Sequence, residues 1–168
     1  MNMRWQLRHR FDRQCLPIAN RHYNRQTHDS PQFAPPGRCV VLYAETETGR
    51  ALWISSFQEY VLHAWPGAWN CSCFRNEGAG LSSELIVEAV AATLFMWGEP
   101  SDLGFITFVD RKKTRPKKTP GYCYRVAGWE DVGRTKVNDL VDLQLTPDKM
   151  PEPCAPIGGQ FDLLGGVE

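Results

Sequence analysis

The feature that most constrains this chain is a set of apolar residues at positions 81, 85, 86, 89, 90, 94 and 97. They recur at the spacing of one helix face over about four turns. Gly98-Glu99-Pro100 stops the pattern. Around this predicted helix, over residues 81–97, the sequence reads as strands. Cys39-Val40-Val41-Leu42-Tyr43-Ala44 is strand-like, Thr46-Glu47-Thr48-Gly49 is a turn, and Ala51-Leu52-Trp53-Ile54-Ser55 returns as the second arm of a hairpin. Residues 69–74 read as another strand. Phe105-Ile106-Thr107-Phe108-Val109 is a short apolar run of the kind found in buried strands. Residues 123–126 predict a short helix ending at Gly128, and residues 137–145 a last strand. The sum is an α/β (α+β) domain, a mixed central sheet flanked by helices, over residues 1–145. Residues 146–168, rich in Pro, Gly and acidic side chains, read as a tail or a packed-down loop.

A length of 168 residues fits one domain. With 42% hydrophobic and 23% charged residues, global disorder is excluded. Nineteen basic residues balance nineteen acidic ones, which excludes a uniformly basic coat but leaves room for a local patch. The charge is in fact segregated. Arg4, Arg8, Arg10, Arg13, Arg21 and Arg25 load the start. Arg111-Lys112-Lys113-Thr114-Arg115-Pro116-Lys117-Lys118 puts six cations in eight residues. No apolar run approaches the roughly 18–20 residues of a membrane span. The charged start lacks a following apolar stretch, so no signal peptide is expected. Six cysteines, at 15, 39, 71, 73, 123 and 154, include no Cys-x-x-Cys pair. The simplest reading is reduced, buried thiols in a cytoplasmic protein, with a zinc site or reactive thiols as the alternatives. Cys71 and Cys73 share a face if their strand is regular.

The most informative stretch runs from Cys73 through Arg75, Glu77, Gly78, Ala79, Gly80 and Ser82 to Leu85. A strand enters a glycine-bearing loop, and the loop opens a helix. Such a turn can aim N–H groups and the positive end of a helix at one point, and a pyrophosphate is the natural guest. The same pattern also describes an ordinary capped turn in which Ser82 or Ser83 satisfies free amides.

Downstream comes Tyr122-Cys123-Tyr124-Arg125-Val126-Ala127-Gly128-Trp129. With Arg75, Gly78 and Gly80, and with the buried strand between, this resembles the GNAT N-acetyltransferase superfamily. Its motifs are Arg/Gln-x-x-Gly-x-Gly/Ala and Tyr-x-x-x-Gly-Phe. Here Tyr124 and Gly128 match the second motif, with Trp129 in place of Phe, and the resemblance covers about residues 38–145. It implies a GNAT-like acyltransferase fold. Arg75 and the amides of Glu77, Gly78, Ala79, Gly80 and Ser82 would hold an acyl-coenzyme A (acetyl-coenzyme A) or related donor. Tyr124 would be the general acid to the departing thiolate, a role that suits a phenol of pKa near 10. The alternative for Tyr124 is a core tyrosine.

A more specific resemblance rests on Arg21-His22-Tyr23-Asn24-Arg25, on Asp110 ending the buried strand, and on the basic block after it. This combination is similar to the Mom family of phage DNA-modification enzymes. Those proteins convert adenine in DNA to N6-carbamoylmethyladenine and so protect it from restriction. An early His-Tyr-Ser segment and a later Asp act there, with a bound iron. The resemblance implies His22, Tyr23, Asp110 and Tyr124 as catalytic residues and His22 and Asp110 as ligands of Fe(II). Asn24 stands where that family has Ser. One imidazole and one carboxylate can hold a divalent metal, and His28 is the nearby residue for a second imidazole. The plainer alternatives are a capping histidine and a strand-end turn aspartate.

The expected partner is double-stranded DNA, with a homodimer as one open assembly state and no membrane. Arg21, Arg25, Arg111, Lys112, Lys113, Arg115, Lys117 and Lys118 are the candidate phosphate contacts. A solvated charge run is the alternative. Chemistry on adenine needs the base out of its stack, and Phe57, Tyr60, Trp65 and Trp69 are candidate holders or plain core residues. Two other functions remain open. One is an acyl-coenzyme A N-acetyltransferase acting on a protein or small amine. The other is a non-enzymatic DNA-binding module on the same scaffold.

Overall fold

The computed structural model describes residues 1–25, 30–57, 64–114 and 119–159. In chain order the elements are β1 (Trp5–Arg8), α1 (Cys15–Arg21), β2 (Arg38–Thr46), β3 (Gly49–Phe57), β4 (Trp69–Glu77), α2 (Ser82–Trp97), β5 (Phe105–Val109), α3 (Tyr122–Val126), β6 (Glu130–Arg134) and β7 (Val141–Leu145). The strands form a seven-stranded sheet in the order β1-β2-β3-β4-β5-β7-β6. Neighbours are antiparallel except β4 and β5, which are parallel. The mixed sheet flanked by helices is the α+β architecture that the sequence predicts.

Alternation along the central hairpin divides it between two cores. Val40, Leu42, Ala44, Ala51 and Trp53 belong to the core under α2, with Leu85, Ile86 and Phe105. Val41, Tyr43, Leu52 and Ile54 belong to the core under α1, with Cys15 and Ile18. Each large aliphatic or aromatic side chain buried there contributes about 1.5–3 kcal/mol. α2 is buried nearly all round, because the sheet covers one side and residues 150–157 cover part of the other. The Cys154 N–H donates to Ala91 O at 3.1 Å, and Ile157 pairs with β1 through Leu7 and Trp5. The segment from Thr146 to residue 159 is therefore docked, and residues 160–168 lie outside the described ones.

Two features of β4 shape everything that follows. First, the strand carries a bulge. Ile54 pairs with Cys73 and Ser55 with Cys71, so Ser72 is an extra residue. The regular-strand expectation for Cys71 and Cys73 is thereby corrected. Cys71 lies in the core under α2 and Cys73 in the core under α1, because the bulge reverses the alternation. Second, β4 and β5 pair only at Trp69–Phe105 and Asn70–Ile106 and then part. The carbonyls that the parting strips of ladder partners are met by side chains. Thr107 Oγ1 donates to Cys71 O at 3.0 Å and Asn24 Nδ2 to Ser72 O at 3.0 Å.

β1, α1 and β6 were not foreseen. α1 is seven residues long and carries Pro17, too short for a period to show. β6 has an exposed Glu-Asp-Val-Gly-Arg sequence with no apolar alternation. The last strand begins at Val141 rather than 137, because Asn138 and Asp139 take positive φ (70° and 50°) and make the turn of the β6–β7 hairpin. No helix among the described residues is long and apolar enough to cross a membrane.

Candidate functional site

Where β4 and β5 part, a cavity of about 980 Å³ opens. His22, Tyr23 and Asn24 close one side, β4 residues 71–74 form the floor, and β5 residues 107–109, the segment 119–121, the start of α2 and all of α3 except Arg125 form most of the rest. A second cavity of about 680 Å³ adjoins it and shares Tyr23, Asn24, Cys71, Ser72 and Phe108. It adds Asp110, Lys112, Lys113, Asn70 and Asn138.

The predicted phosphate loop is only partly open to this space. Gly80 and Ser82 line the first cavity, but Arg75, Glu77, Gly78 and Ala79 do not. Their groups are already used. Arg75 Nε donates to Glu77 at 2.7 Å, and Arg21 makes two bonds to the same carboxylate at 2.7 and 2.6 Å. These guanidinium bonds, Arg21's foremost, bring the Glu77 carboxyl down to about 2. The Ala79 N–H donates to Asn76 Oδ1, while Asn76 Nδ2 donates to Gly80 O and Ser82 Oγ. Thr46 and Thr48 hydroxyls take the Ala79 and Gly78 carbonyls. The loop presses so closely on the β2–β3 turn that a Cβ on Gly49 would lie 2.0 Å from Glu77 O. What remains open is the first turn of α2. Its leading amides have no intrahelical partner by helix geometry, no side chain caps them, and Gly80, Leu81, Ser82 and Ser83 line the cavity. The capping expected of Ser82 or Ser83 is not made.

Tyr124 lies on α3, 8% exposed, with its Oη 3.6 Å from Cys71 Sγ. Burial, with Cys71 and Cys123 nearby, holds its phenol well above the ordinary value, so it is protonated at neutral pH. Burial also pushes the Cys71 thiol up to about 12 and raises Cys73, so neither is a ready nucleophile. Cys15, Cys71 and Cys73 are buried, whereas Cys39, Cys123 and Cys154 are partly exposed.

His22 follows the end of α1. Asn24 Nδ2 donates to Ser72 O, which leaves Asn24 Oδ1 facing His22 Nδ1. The Asn24 backbone N–H also points at Nδ1, at 3.3 Å, so Asn24 meets this nitrogen with both an acceptor and a donor and either neutral tautomer is accommodated. Burial lowers the His22 pKa below 6.5, against the opposing pull of Asn24 and the Phe74 carbonyl. The imidazole stacks on Tyr23 with centroids 4.5 Å apart. Tyr23 Oη in turn accepts the Asp110 N–H at 3.4 Å. Burial raises the Tyr23 phenol too.

The two residues expected to share a metal do not share a cavity. His22 lines the first, and Asp110 the second. Asp110 Oδ1 caps its own turn by accepting the Lys112 and Lys113 amides at 2.9 and 3.3 Å. Among the described residues no group of three or more His, Cys, Asp or Glu is placed to hold an ion. These residues do not fit an Fe(II) site, and no step is routed through one. His28 lies outside the described residues.

The cations divide likewise. Arg21 is held by Glu77, Arg25 by Asn20 and the carbonyls of Ser30 and Gln32, and Arg111 by Asp139. Lys112 and Lys113 face the second cavity without an ion pair among the described residues. Arg115, Lys117 and Lys118 lie outside those residues. Of the aromatic holders, Trp69 is core, packed on Trp97 and Phe105. Phe57 carries the Arg38 guanidinium, and neither Phe57 nor Trp65 lines the two cavities; Tyr60 is not among the described residues. The rings that do line them are Tyr23, Phe74, Phe108, Tyr122 and Tyr124. Phe108 could have been found from period-2 parity with Ile106, but five consecutive strand-forming residues masked the alternation. No family model, no curated protein and no solved structure matches the chain.

Proposed function

We propose that this protein is a GNAT-type transferase that modifies the exocyclic amine of adenine in DNA, as the resemblance to the Mom family suggests. One observation carries the reading. Tyr124, His22 and the uncapped start of α2 line a single cavity at the parting of β4 and β5. The donor would be an acyl-coenzyme A or a related thioester, which supplies an activated carbon and a thiolate leaving group when bound.

The chain's own groups fit three tasks. The leading amides of α2, with the helix's positive end, meet phosphate oxygens. The Tyr124 phenol, kept protonated by burial, gives its proton to the departing sulfur. His22 is neutral above its lowered pKa, and the unprotonated nitrogen of its ring takes the proton that the amine loses on bonding to carbon. Ordinary acyl transfer ends in an amide, whereas carbamoylmethylation makes an N–CH2 bond. For that product the donor would have to carry its leaving group on the CH2 carbon, which an acyl thioester does not; with a thioester donor the balanced step is acyl transfer, the N–C bond forming as the acyl C–S bond breaks.

The second reading, an N-acetyltransferase for a protein or small amine, needs only the first cavity. Lys112 and Lys113 in the adjoining one favour a polyanionic acceptor. The test is a nucleoside digest, with mass spectrometry, of DNA from cells expressing the protein. The expected result is a mass-shifted adenine nucleoside that disappears with His22→Ala. Unmodified DNA together with acylated amines on protein or small molecules would transfer the assignment to the second reading.

A further inference from the structure

Phe108 is the one residue of β5 that is not buried. Its neighbours Phe105 and Val109 lie in the core under α2, but Phe108 belongs to neither core cluster. Among the described residues no aromatic ring packs on it. It lines both cavities, and so does Tyr23, whose ring has one recorded aromatic partner, His22. A partly exposed phenylalanine in an internal strand, outside both core clusters, leaves an apolar ring facing the cavities with no aromatic partner among the described residues.

The rest of the second cavity says what that face would meet. Lys112 and Lys113 are cationic and free of ion pairs among the described residues, so the occupant carries anionic charge beside a flat ring. Asn70, 6% exposed, lines the same space, and its Oδ1 has no hydrogen-bond partner among the described residues. An amide oxygen without a donor suits a guest with an exocyclic amine. A ring, an amine and an adjacent phosphate describe one nucleotide unit of a nucleic-acid strand.

We infer that the second cavity receives an unstacked adenine, with Phe108 and Tyr23 as the platform beside it and Lys112 and Lys113 on the flanking phosphates. The base's amine then lies at Asn70, beside the wall of Ser72 and Phe108 that the two cavities share. This rests on the proposed function and names its acceptor subsite. Extrusion from a duplex is the costly step, so single-stranded DNA should bind more readily at this subsite.

The test is fluorescence anisotropy with three probes: a short single-stranded oligonucleotide containing one adenine, the same strand abasic at that position, and deoxyadenosine monophosphate as competitor. Wild type should prefer the adenine strand to the abasic one. Phe108→Ala should weaken the adenine strand about 5- to 150-fold, the range of one base–aromatic stack, and leave the abasic strand unchanged. Phe108→Tyr should restore the preference. Competition by the mononucleotide at concentrations similar to the strand would show that the free nucleotide, not DNA, is the guest, and overturn the assignment to a strand. Equal loss on both strands, or none on either, in a protein that still yields the modified nucleoside, overturns the platform alone. A wild type that neither binds DNA nor modifies it sinks the proposed function, and the subsite with it.

Discussion

The cavity beneath α3 is walled by thiols, a buried phenol and the open end of α2, whereas the one beside Asp110 is walled by lysines and amides, although both share Tyr23, Asn24 and Phe108. The first can hold protons in place but offers little charge. Tyr124, Cys71 and Cys73 all stay protonated at neutral pH because burial penalises their anions. The second offers charge, and among the described residues no hydrogen bond there aligns a buried acid with a base. On the proposed function, chemistry and recognition divide across one wall, which Tyr23, Asn24, Cys71, Ser72 and Phe108 line on both sides.

The sharpest way to break that division is Tyr124→Phe. The ring that packs on Trp53, Phe74 and Trp129 is kept and only the hydroxyl goes. Single-turnover product formation should fall about 10²- to 10⁴-fold, the usual worth of a positioned acid, with oligonucleotide affinity unchanged. A rate equal to wild type would remove the chemical role from the first cavity.

Gly49→Ala tests whether the loop before α2 must stay where it is. The new Cβ meets the backbone of Glu77 and Gly78 at 2.0 and 2.6 Å, so the loop has to shift. Urea unfolding should show a loss of about 1–3 kcal/mol. Donor binding should weaken while the salt dependence of DNA binding stays the same. An unchanged urea midpoint would mean that this close approach is easily relaxed.

Replacing Lys112 and Lys113 together by Ala addresses the other side of the wall. If both meet phosphates, the slope of log affinity for single-stranded DNA against log salt should lose about 1.4 of its magnitude. Stability should stay within about 0.5 kcal/mol. A slope that does not move identifies them as solvated lysines.

The smallest effect concerns the Arg21–Glu77 link that anchors α1 just before the shared wall. The folded Glu77 pKa, about 2, lies below its ordinary 4.5. Its contribution is therefore fully present above pH 4.5 and is lost as pH falls toward 2. Because Arg21 and Arg75 are substantially exposed, that contribution is about 1 kcal/mol. Glu77→Gln should lower stability by that amount at pH 7 and by nothing near pH 2, measured as urea midpoints against pH. A constant difference across that range would show that the link carries no charge energy.

Legibility from the sequence varied with the range of the forces involved. The hairpin, α2, β5 and α3 were readable because each is announced by its own apolar period or turn residues within a few positions. Of the candidate site, Tyr124, His22, Tyr23, Gly80 and Ser82 line one cavity, since the motifs that suggest them sit at strand and helix ends that open on one cleft. The cradle at 75–79 was misjudged as open. Glycine spacing announces a tight loop, but says nothing about whether Asn76, Thr46, Thr48 and Arg21 already occupy its polar groups. Asp110 was placed near the site correctly but given a ligand's task, when its Oδ1 serves the turn that follows it.

By itself the sequence determined the order of elements and the residue types gathered at the end of the buried strand, because local periodicity and turn chemistry act over a few residues. Tertiary structure alone decided which polar groups of the loop before α2 are taken, what surrounds His22 and why Phe108 stays partly exposed. Those outcomes rest on contacts between distant segments, such as Asn24 to Ser72, Arg21 to Glu77 and Tyr23 to Asp110, separated by 48, 56 and 87 positions. A bulge at Ser72 and the parting of β4 from β5 bring these partners together, and neither leaves a mark in local composition.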